Sequence, residues 1–336
     1  MKRFSDIEQL RHVIKNVKNS IVWAAKEKYG DDFDGYKLEY PVMDFVGTVK
    51  LHGCNSGLVR DKDGIKFQSR NNMINIENDN YGFARYMTDV GEDELNKLFD
   101  LISSDPNDKI TIFGEWIGTG IQKKVGIAQL ARQFVIFNIH INDNYAPNSV
   151  LYEINKFNIH NILRSKLYMI SIDMNDPTKA KEQLEEMVNE VDAVCPWAKM
   201  WGVNRGCLHG EGIVWCSVDN PENSDLWFKT KGKSHKASNQ KEVVQIDPEV
   251  LATMNQFVNY ALSDERLEQG YRFVIELVGR EELDMNDMGK FISWVHKDIK
   301  KEEYDVLEVN VFEWKPVTKI LNPRIREWYT DKIFQD

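Results

Sequence analysis

The sequence predicts an α+β protein in which a strand-rich region comes first and a helical region follows. Short apolar and β-branched segments, separated by turns, recur as far as about residue 232. After Lys241 the segments become longer and their apolar residues follow helical spacing. The stretch 228–246 between the two regions is short, polar and rich in lysine. We therefore expect a first domain over 1–243 and a helical C-terminal domain over 244–336.

The first predicted element is an amphipathic helix over 5–29, in which apolar residues recur at helical spacing. Ser5 and Glu8 have the spacing of a capping box at its start. Gly30 is expected to end it. Nothing in this segment points to chemistry, so we assign it a packing role.

Strands are predicted next. A strand over 45–50 runs into the loop 51–55, where Gly53 allows the backbone to turn or to approach a ligand closely. Two further strands, 56–60 and 65–70, read as a hairpin because a short Asp- and Gly-containing turn joins them.

The remaining predicted elements alternate between helices and strands. They are a helix over 93–103, a strand over 109–115 with a loop to 120, a buried strand over 133–141, a helix over 176–191 with a solvated acidic face, and strands beginning at 212 and 226. In the helical region we expect helices over 247–262, 287–301 and 320–334.

The composition excludes several classes of protein. No apolar run reaches the roughly 18 residues that a membrane span needs. The charged first residues do not resemble a secretory signal. The four cysteines form no CxxC pair, which argues against a zinc site or a disulfide framework. These features predict a reducing, cytoplasmic location, in the host cytoplasm if the chain is viral.

The net charge of −10 argues against a globally basic nucleic-acid binder. It leaves room for a local basic groove, and the stretch 228–241 supplies one, with five lysines and no acid. The charge pattern therefore permits a nucleic-acid partner without requiring one.

Lys50 is the first candidate for chemistry because it ends a strand and enters a glycine-containing loop. A lysine whose pKa is depressed by burial and by neighbouring cations can act as a nucleophile. An ordinary solvated lysine at a strand end is the alternative, and this segment alone favours that interpretation.

Five other positions bear on the choice. Arg70 closes the predicted hairpin, where its guanidinium would suit a phosphate or only solvent. Glu115 lies between glycines and a tryptophan, which favours a pocket over the surface. Lys123 and Lys124 follow and could reach phosphates or only solvent. Phe137 lies on a strand that is expected to be buried on both faces, so core packing is its first interpretation.

Glu211 enters an apolar strand after a glycine-rich turn, as a residue facing a site would. Lys229 and Lys231 alternate with apolar residues, so both lie on one face of their strand. Such a face is either solvated or, opposite the Glu211 strand, a phosphate-binding wall.

Six segments, taken in order, resemble the motifs of the covalent nucleotidyltransferase superfamily of ligases and capping enzymes. They are Lys50-Leu51-His52-Gly53, Arg70, Phe113-Gly114-Glu115, the aromatic strand 134–139, Glu211-Gly212-Ile213-Val214 and Phe228-Lys229-Thr230-Lys231. Any one of them is a weak signal. Their order and separations over 45–232 make the resemblance specific.

The first motif is similar to that of one branch of the superfamily. The letters KLHGCN, with His52 and Asn55, resemble the K-x-H-G-x-N signature of the RNA ligase 2 group, which includes phage and kinetoplastid RNA ligases. DNA ligases and capping enzymes usually carry aspartate where His52 stands, and a β-rich domain follows. The helical tail here resembles that of phage ligases of the group.

The resemblance implies a fold and a reaction. The fold is a two-sheet antiparallel nucleotidyltransferase domain followed by helices. The reaction is ATP-dependent sealing of 3′-OH and 5′-phosphate RNA ends, through lysyl-AMP and an RNA-adenylate. The implied substrate is a nicked RNA duplex, and the implied metal is Mg²⁺ or Mn²⁺. The protein is expected to be a monomer that does not bind a membrane.

The resemblance also implies roles for individual residues. Catalytic roles fall to Lys50, His52, Glu211, Lys229 and Lys231. Nucleotide binding falls to the same residues except His52, together with Val49, Leu51, Asn55, Arg70, Glu115 and Phe137. Glu211 is the implied metal ligand. A DNA nick ligase, or a non-catalytic RNA-binding protein on the same fold, are the alternatives.

Overall fold

The computed structural model describes residues 1–30, 38–146, 152–235, 254–280, 282–309 and 312–334. They form two compact units, Met1–Ser234 and His235–Asp336. Among the described residues, strands occur only in the first unit and the second is helical, which confirms the predicted α+β class. The predicted domain boundary at 243 and the predicted start of a helix at 247 lie outside the described residues.

Two sheets organise the first unit. The described strands are β1 Val42–Lys50, β2 Cys54–Asp61, β3 Gly64–Ser69, β4 Met73–Ile74, β5 Ile110–Ile117, β6 Gln133–Ile141, β7 Asn144–Ala146, β8 Ile159–Asn161, β9 Leu167–Asp173, β10 Gly212–Ser217 and β11 Phe228–Lys231. One sheet has the order β11-β10-β1-β9, and the other has the order β4-β3-β2-β5-β6-β7. All of these neighbours pair antiparallel, as predicted, while β8 adds to β6 in parallel.

The helices of the first unit are α1 Leu10–Tyr29, α2 Phe83–Val90, α3 Glu92–Ile102, α4 Lys181–Ala193 and α5 Pro196–Met200. Side chains of α2 and α3 pack with those of β5 and β6 in one buried apolar cluster. The two helices therefore cover one face of the larger sheet. The short helix α2 was not predicted from the sequence.

The predicted start of the first helix was wrong. The helix begins at Leu10, its N-cap is Gln9, and no side chain caps it. Glu8 instead pairs with β11, where its N–H donates to the Trp227 carbonyl and its own carbonyl accepts from Lys229 N–H. The sheet edge therefore takes the backbone groups that a capping box would have used. Gly30 does end the helix, as predicted, with φ 72°.

Strand β5 runs two residues further than the predicted 109–115. Trp116 was expected in a loop, but it is fully buried and its ring lies 5.6 Å from that of Phe83. Pairing with β2 on one side and β6 on the other holds the added residues in the sheet. Burial of the indole explains the extension, because an aromatic residue fits a half-buried pleated surface well.

The second unit contains α6 Met254–Ala261, α7 Asp264–Val278, α8 Met288–Glu302, α9 Tyr304–Val309 and α10 Trp314–Phe334. Of these, α7 and α9 were not predicted, and α10 starts earlier than expected. Arg266 is fully buried in this unit and donates to Glu303 at 2.7 Å and to Asp298 at 2.8 Å. Among the described residues, no helix is long and apolar enough to span a membrane.

Candidate active site

The candidate site lies at one end of the smaller sheet. Lys50, Gly212 and Lys231 are directly opposite one another on β1, β10 and β11. Gly212 has φ 156°, and a Cβ there would lie 2.0 Å from the Thr230 carbonyl oxygen, so only glycine fits. The two lysines therefore flank a position without a side chain.

Glu211 fills the space between the lysines. Lys50 Nζ donates to Glu211 Oε2 at 2.7 Å, and Lys231 Nζ lies 3.1 Å from Oε1. His52 Nδ1 lies 3.2 Å from Oε2. The carboxylate is only 3% exposed. Burial by itself would raise the pKa of Glu211, but Lys50, Lys231 and His52 hold it well below its usual range.

Lys229 and Lys231 lie on the face of β11 that the alternation predicted, and Phe228 and Thr230, which alternate with them, are buried. Burial lowers the pKa of Lys231 to about 8 against the opposing effect of Glu211, and the nearby Lys50 and Lys229 lower it further. The lysine pair therefore places a concentrated positive charge beside Lys50.

The loop after Lys50 is anchored to the larger sheet. Gly53 N–H donates to Glu115 Oε1 at 2.9 Å, and Gln122 Nε2 donates to the Gly53 carbonyl at 3.1 Å. A Cβ at Gly53 would lie 2.2 Å from the Trp116 carbonyl oxygen. The close approach explains the glycine, and these contacts hold the loop beside both Lys50 and Glu211.

The pKa of the Glu115 carboxyl is raised above the usual value for a glutamate. Burial, opposed by Lys50 and reinforced by Glu211, raises the pKa of Glu115 to about 7. An unfolded glutamate titrates near 4.5. Between these two pH values the unfolded chain loses a proton that the folded chain keeps, so folding stability falls as pH rises across the window.

We therefore expect Glu115→Gln to be more stable than the parent at pH 8 and nearly equal to it at pH 4. Glutamine keeps the oxygen that accepts from Gly53 N–H, so the loop anchor remains. Thermal unfolding of both proteins across this pH range measures the difference. Glu77→Gln, on an exposed turn, is the matched control. A parent–variant difference that does not change with pH would contradict the assigned cause.

Asn55 Oδ1 is a buried polar atom that needs a partner. It lies on β2 opposite Glu115, and no described residue donates a hydrogen bond to it. A buried acceptor of this kind is normally satisfied, so a ligand hydroxyl or amine fits this position. Val49 and Leu51, by contrast, are buried at 3% and 6% exposure and contribute their apolar side chains to the core.

Phe137 is the extra residue of a β-bulge. The pairing of β5 with β6 passes from Phe113 opposite Asn138 to Gly114 opposite Ile136, and so skips Phe137. Bulges commonly re-aim a side chain next to an active site. Phe137 is half-buried, whereas Phe134 is fully buried and packs on Phe83.

The N-terminal segment contributes residues that the sequence did not single out. Phe4 packs edge-on against Phe137 at 5.0 Å and is stacked with Trp227 at 5.5 Å. Asp6 forms an ion pair with Arg70, the predicted phosphate-binding arginine. The sequence shows only that Phe4 is aromatic and that Asp6 is acidic. Neither property predicts a contact with a residue that is distant in the chain.

The arrangement brings a lysine amine, a buried carboxylate, two further cations and an orphaned amide oxygen to one place. In the described chain, no group of three or more His, Cys, Asp or Glu side chains could hold a metal on its own. A divalent ion here would have Glu211 as its protein ligand, with phosphate and water completing its shell, as is usual for Mg²⁺.

The RNA ligase family matches residues 43–231, which is more than half of the chain and contains all of the predicted site residues. Among solved structures, a variant of Naegleria gruberi RNA ligase with AMP and Mn is similar at 14% identity and a TM-score of 0.41. The same organism's RNA ligase with PPi is similar at 18% identity and a TM-score of 0.40. Each match covers 70% of this chain and 56% of the other, so this chain spans little more than half of their length.

Proposed function

This chain belongs to the RNA ligase family, and from that premise we propose that it is an ATP-dependent ligase that seals RNA. It would join a 3′-hydroxyl to a 5′-phosphate in a nicked duplex. The observation that carries the proposal is the Lys50 amine, 2.7 Å from the buried carboxylate of Glu211 and in one row with Lys231. The absence of a disulfide among the cysteines fits a reducing, cytoplasmic compartment.

In the first step Lys50 Nζ attacks the α-phosphorus of ATP. A bond forms between nitrogen and phosphorus, the bond to the bridging oxygen breaks, pyrophosphate leaves, and Nζ releases a proton to solvent. Glu211 accepts a hydrogen bond from the amine and so orients it. Lys229 and Lys231 supply positive charge where phosphate charge develops. When bound, Mg²⁺ or Mn²⁺ at Glu211 would neutralise further phosphate charge.

Two later steps use the adenylate. An oxygen of the RNA 5′-phosphate attacks the AMP phosphorus and releases Lys50. The 3′-hydroxyl then attacks the activated RNA phosphate, and AMP leaves. His52, which contacts Glu211, is proposed to act in these RNA-dependent steps. Asn55, Glu115 and Arg70 are proposed to hold the sugar and phosphates, with Val49 and Leu51 packed behind them.

The decisive experiment uses ATP labelled at the α-phosphate, with Mg²⁺ and no RNA, followed by addition of matched RNA and DNA nicks. Label on the protein that moves to RNA, together with preferential sealing of the RNA nick, supports the proposal. Preferential sealing of DNA would make the protein a DNA nick ligase. Failure to label under Mg²⁺ or Mn²⁺ would leave a non-catalytic RNA-binding protein.

Phe137 is proposed to stack on adenine. Stacking of an aromatic side chain on a base contributes about 1–3 kcal/mol, so Phe137→Ala should raise the ATP concentration needed for labelling by about 5- to 150-fold. Phe137→Trp should restore most of the affinity. If the ring serves only to pack on Phe4, the alanine variant will melt at a lower temperature while its ATP dependence stays that of the parent.

We propose that the two units have different roles in the reaction. Residues 1–243 contain every site residue, and the helical unit would hold RNA so that its ends meet. A chain ending at 243 should therefore form the AMP adduct at the parental rate yet seal nicks poorly. Labelling and sealing assays of that chain test the division. An insoluble product, or one that seals as well as the full chain, contradicts it.

A further inference from the structure

Two segments beside the site contain basic residues and no acid, although the chain carries a net charge of −10. The first, 116–133, follows Glu115 and contains Lys123, Lys124 and Arg132. The second, 194–210, precedes Glu211 and contains Lys199 and Arg205. These five side chains are exposed, and we call them together the basic surface.

The two segments pack against each other. Gly126 N–H donates to the His209 carbonyl at 2.7 Å, and Gln129 Nε2 donates to the Cys207 carbonyl at 2.6 Å. A Cβ at Gly126 would lie 3.0 Å from that of Ala198, so the backbone there already touches α5. The basic surface is therefore one structural feature, although its halves are distant in sequence.

The basic surface begins at the nucleophile loop. Gln122 donates to the carbonyl of Gly53, three residues after Lys50. Lys123 and Lys124 follow directly and are exposed, and Lys124 adopts a left-handed conformation with φ 60°. A backbone strained at a non-glycine residue is often found at a functional site. A chain bound along this surface would enter beside Lys50.

Within the described part of the chain, the five basic side chains have no acidic partner. No described carboxylate forms an ion pair with any of them. Two other exposed lysines of the same unit do have such partners: Lys97 lies 2.8 Å from Glu94, and Lys166 lies 2.7 Å from Glu190. Basic groups without acidic partners can bind phosphate without first losing an ion pair.

An exposed aromatic residue lies beside the α5 part of the basic surface. Trp201 directly follows α5 and is 37% exposed, with its ring centroid 4.7 Å from that of His160. His160 is buried, so the indole rests on a fixed support while part of it faces solvent. Basic residues combined with an aromatic platform are typical of surfaces that bind single nucleic-acid strands.

We propose that the basic surface binds the phosphate backbone of the RNA strand that enters the active site, and that Trp201 stacks on an unpaired base of that strand. This inference rests on the proposed function. It adds a location, between the nucleophile loop and α5, and assigns substrate binding to residues outside the six motifs.

The test compares two full-length variants of equal charge. The surface variant carries Lys123→Ala, Lys124→Ala, Lys199→Ala and Arg205→Ala. The control variant carries Lys26→Ala, Lys28→Ala, Lys62→Ala and Arg85→Ala, all at exposed positions of the same unit. Melting temperatures establish that both are folded. The probe is a nicked RNA duplex whose nicked strand continues as a single-stranded extension, with binding measured from low to high salt.

The surface variant should bind at least about tenfold more weakly than the parent at about 0.1 M salt, and its salt dependence should be shallower by up to about 3.6 in logarithmic slope. The control should stay within about twofold. Equal losses in the two variants would overturn the proposal, because bulk charge would then explain them. An unchanged surface variant would also overturn it.

Trp201 is tested on single-stranded RNA. Trp201→Ala should weaken binding by about fivefold or more, and Trp201→Phe should restore most of it. Equal affinity of the alanine variant and the parent would remove the stacking role. Adduct formation by the parent tests the proposed function separately from the role of the basic surface. If the parent forms the adduct but the surface variant binds RNA like the parent, the proposed function stands and the proposed RNA-binding location is wrong.

Discussion

Lys50→Ala is expected to abolish the protein–AMP adduct, leaving label at background. Alanine has no side-chain nitrogen to form the phosphoramidate, and the two other lysines nearby lie on β11, which β10 separates from Lys50. The loss should be complete rather than partial, because removing a nucleophile removes the covalent route itself. Labelling with α-labelled ATP, followed by denaturing electrophoresis, measures it.

The same variant should still act on RNA that already carries a 5′-adenylate, at least in part, since that step bypasses Lys50. Sealing of pre-adenylated RNA is therefore the control for an intact site. Lys66→Ala, on the β3 hairpin, should label like the parent. An undiminished adduct in Lys50→Ala would remove Lys50 from the mechanism.

Glu211→Gln is expected to lose the adduct and to lower the melting temperature. Glutamine preserves size and one acceptor, but it leaves Lys50 and Lys231 without their shared negative charge. Removing one member of a buried ion pair is strongly destabilising, since the remaining charge has lost both water and partner. The variant also lacks the carboxylate proposed to hold the metal.

The stability loss should depend on pH. Lys231 has a pKa of about 8 in the folded protein, so above that value it becomes neutral and no longer needs the carboxylate. The difference in melting temperature between parent and Glu211→Gln should therefore narrow as pH rises from 7 to 9. Glu186→Gln, on the exposed face of α4, should match the parent throughout. If Glu211→Gln forms the AMP adduct at the parental rate, Glu211 has only a structural role.

Local sequence patterns were sufficient to predict much of the fold. The hairpin of β2 and β3 lies close to its predicted position, because its turn and its alternation are short-range properties. The strand predicted over 133–141 is β6 with the same bounds, and the helix end at Gly30 follows from one residue's backbone freedom. The order of the motifs was likewise sufficient to indicate the family before any contact was known.

Contacts between distant segments decided the rest. The capping box of Ser5 and Glu8 had the right spacing, yet the edge of β11 took the Glu8 backbone instead. The bulge at Phe137 depends on how β5 and β6 align, which no feature of either strand alone specifies.

The sequence by itself determined the strand-then-helix order, the lysine in its glycine loop and the set of residues that belong together. Only the tertiary structure decided that Glu211 joins Lys50, His52 and Lys231, although Lys50 and Glu211 are 161 residues apart. Residue types and spacings are local, whereas burial, hydrogen bonds and ion pairs depend on which strands lie side by side. For that reason the raised pKa of Glu115 and the basic surface emerged only from the folded chain.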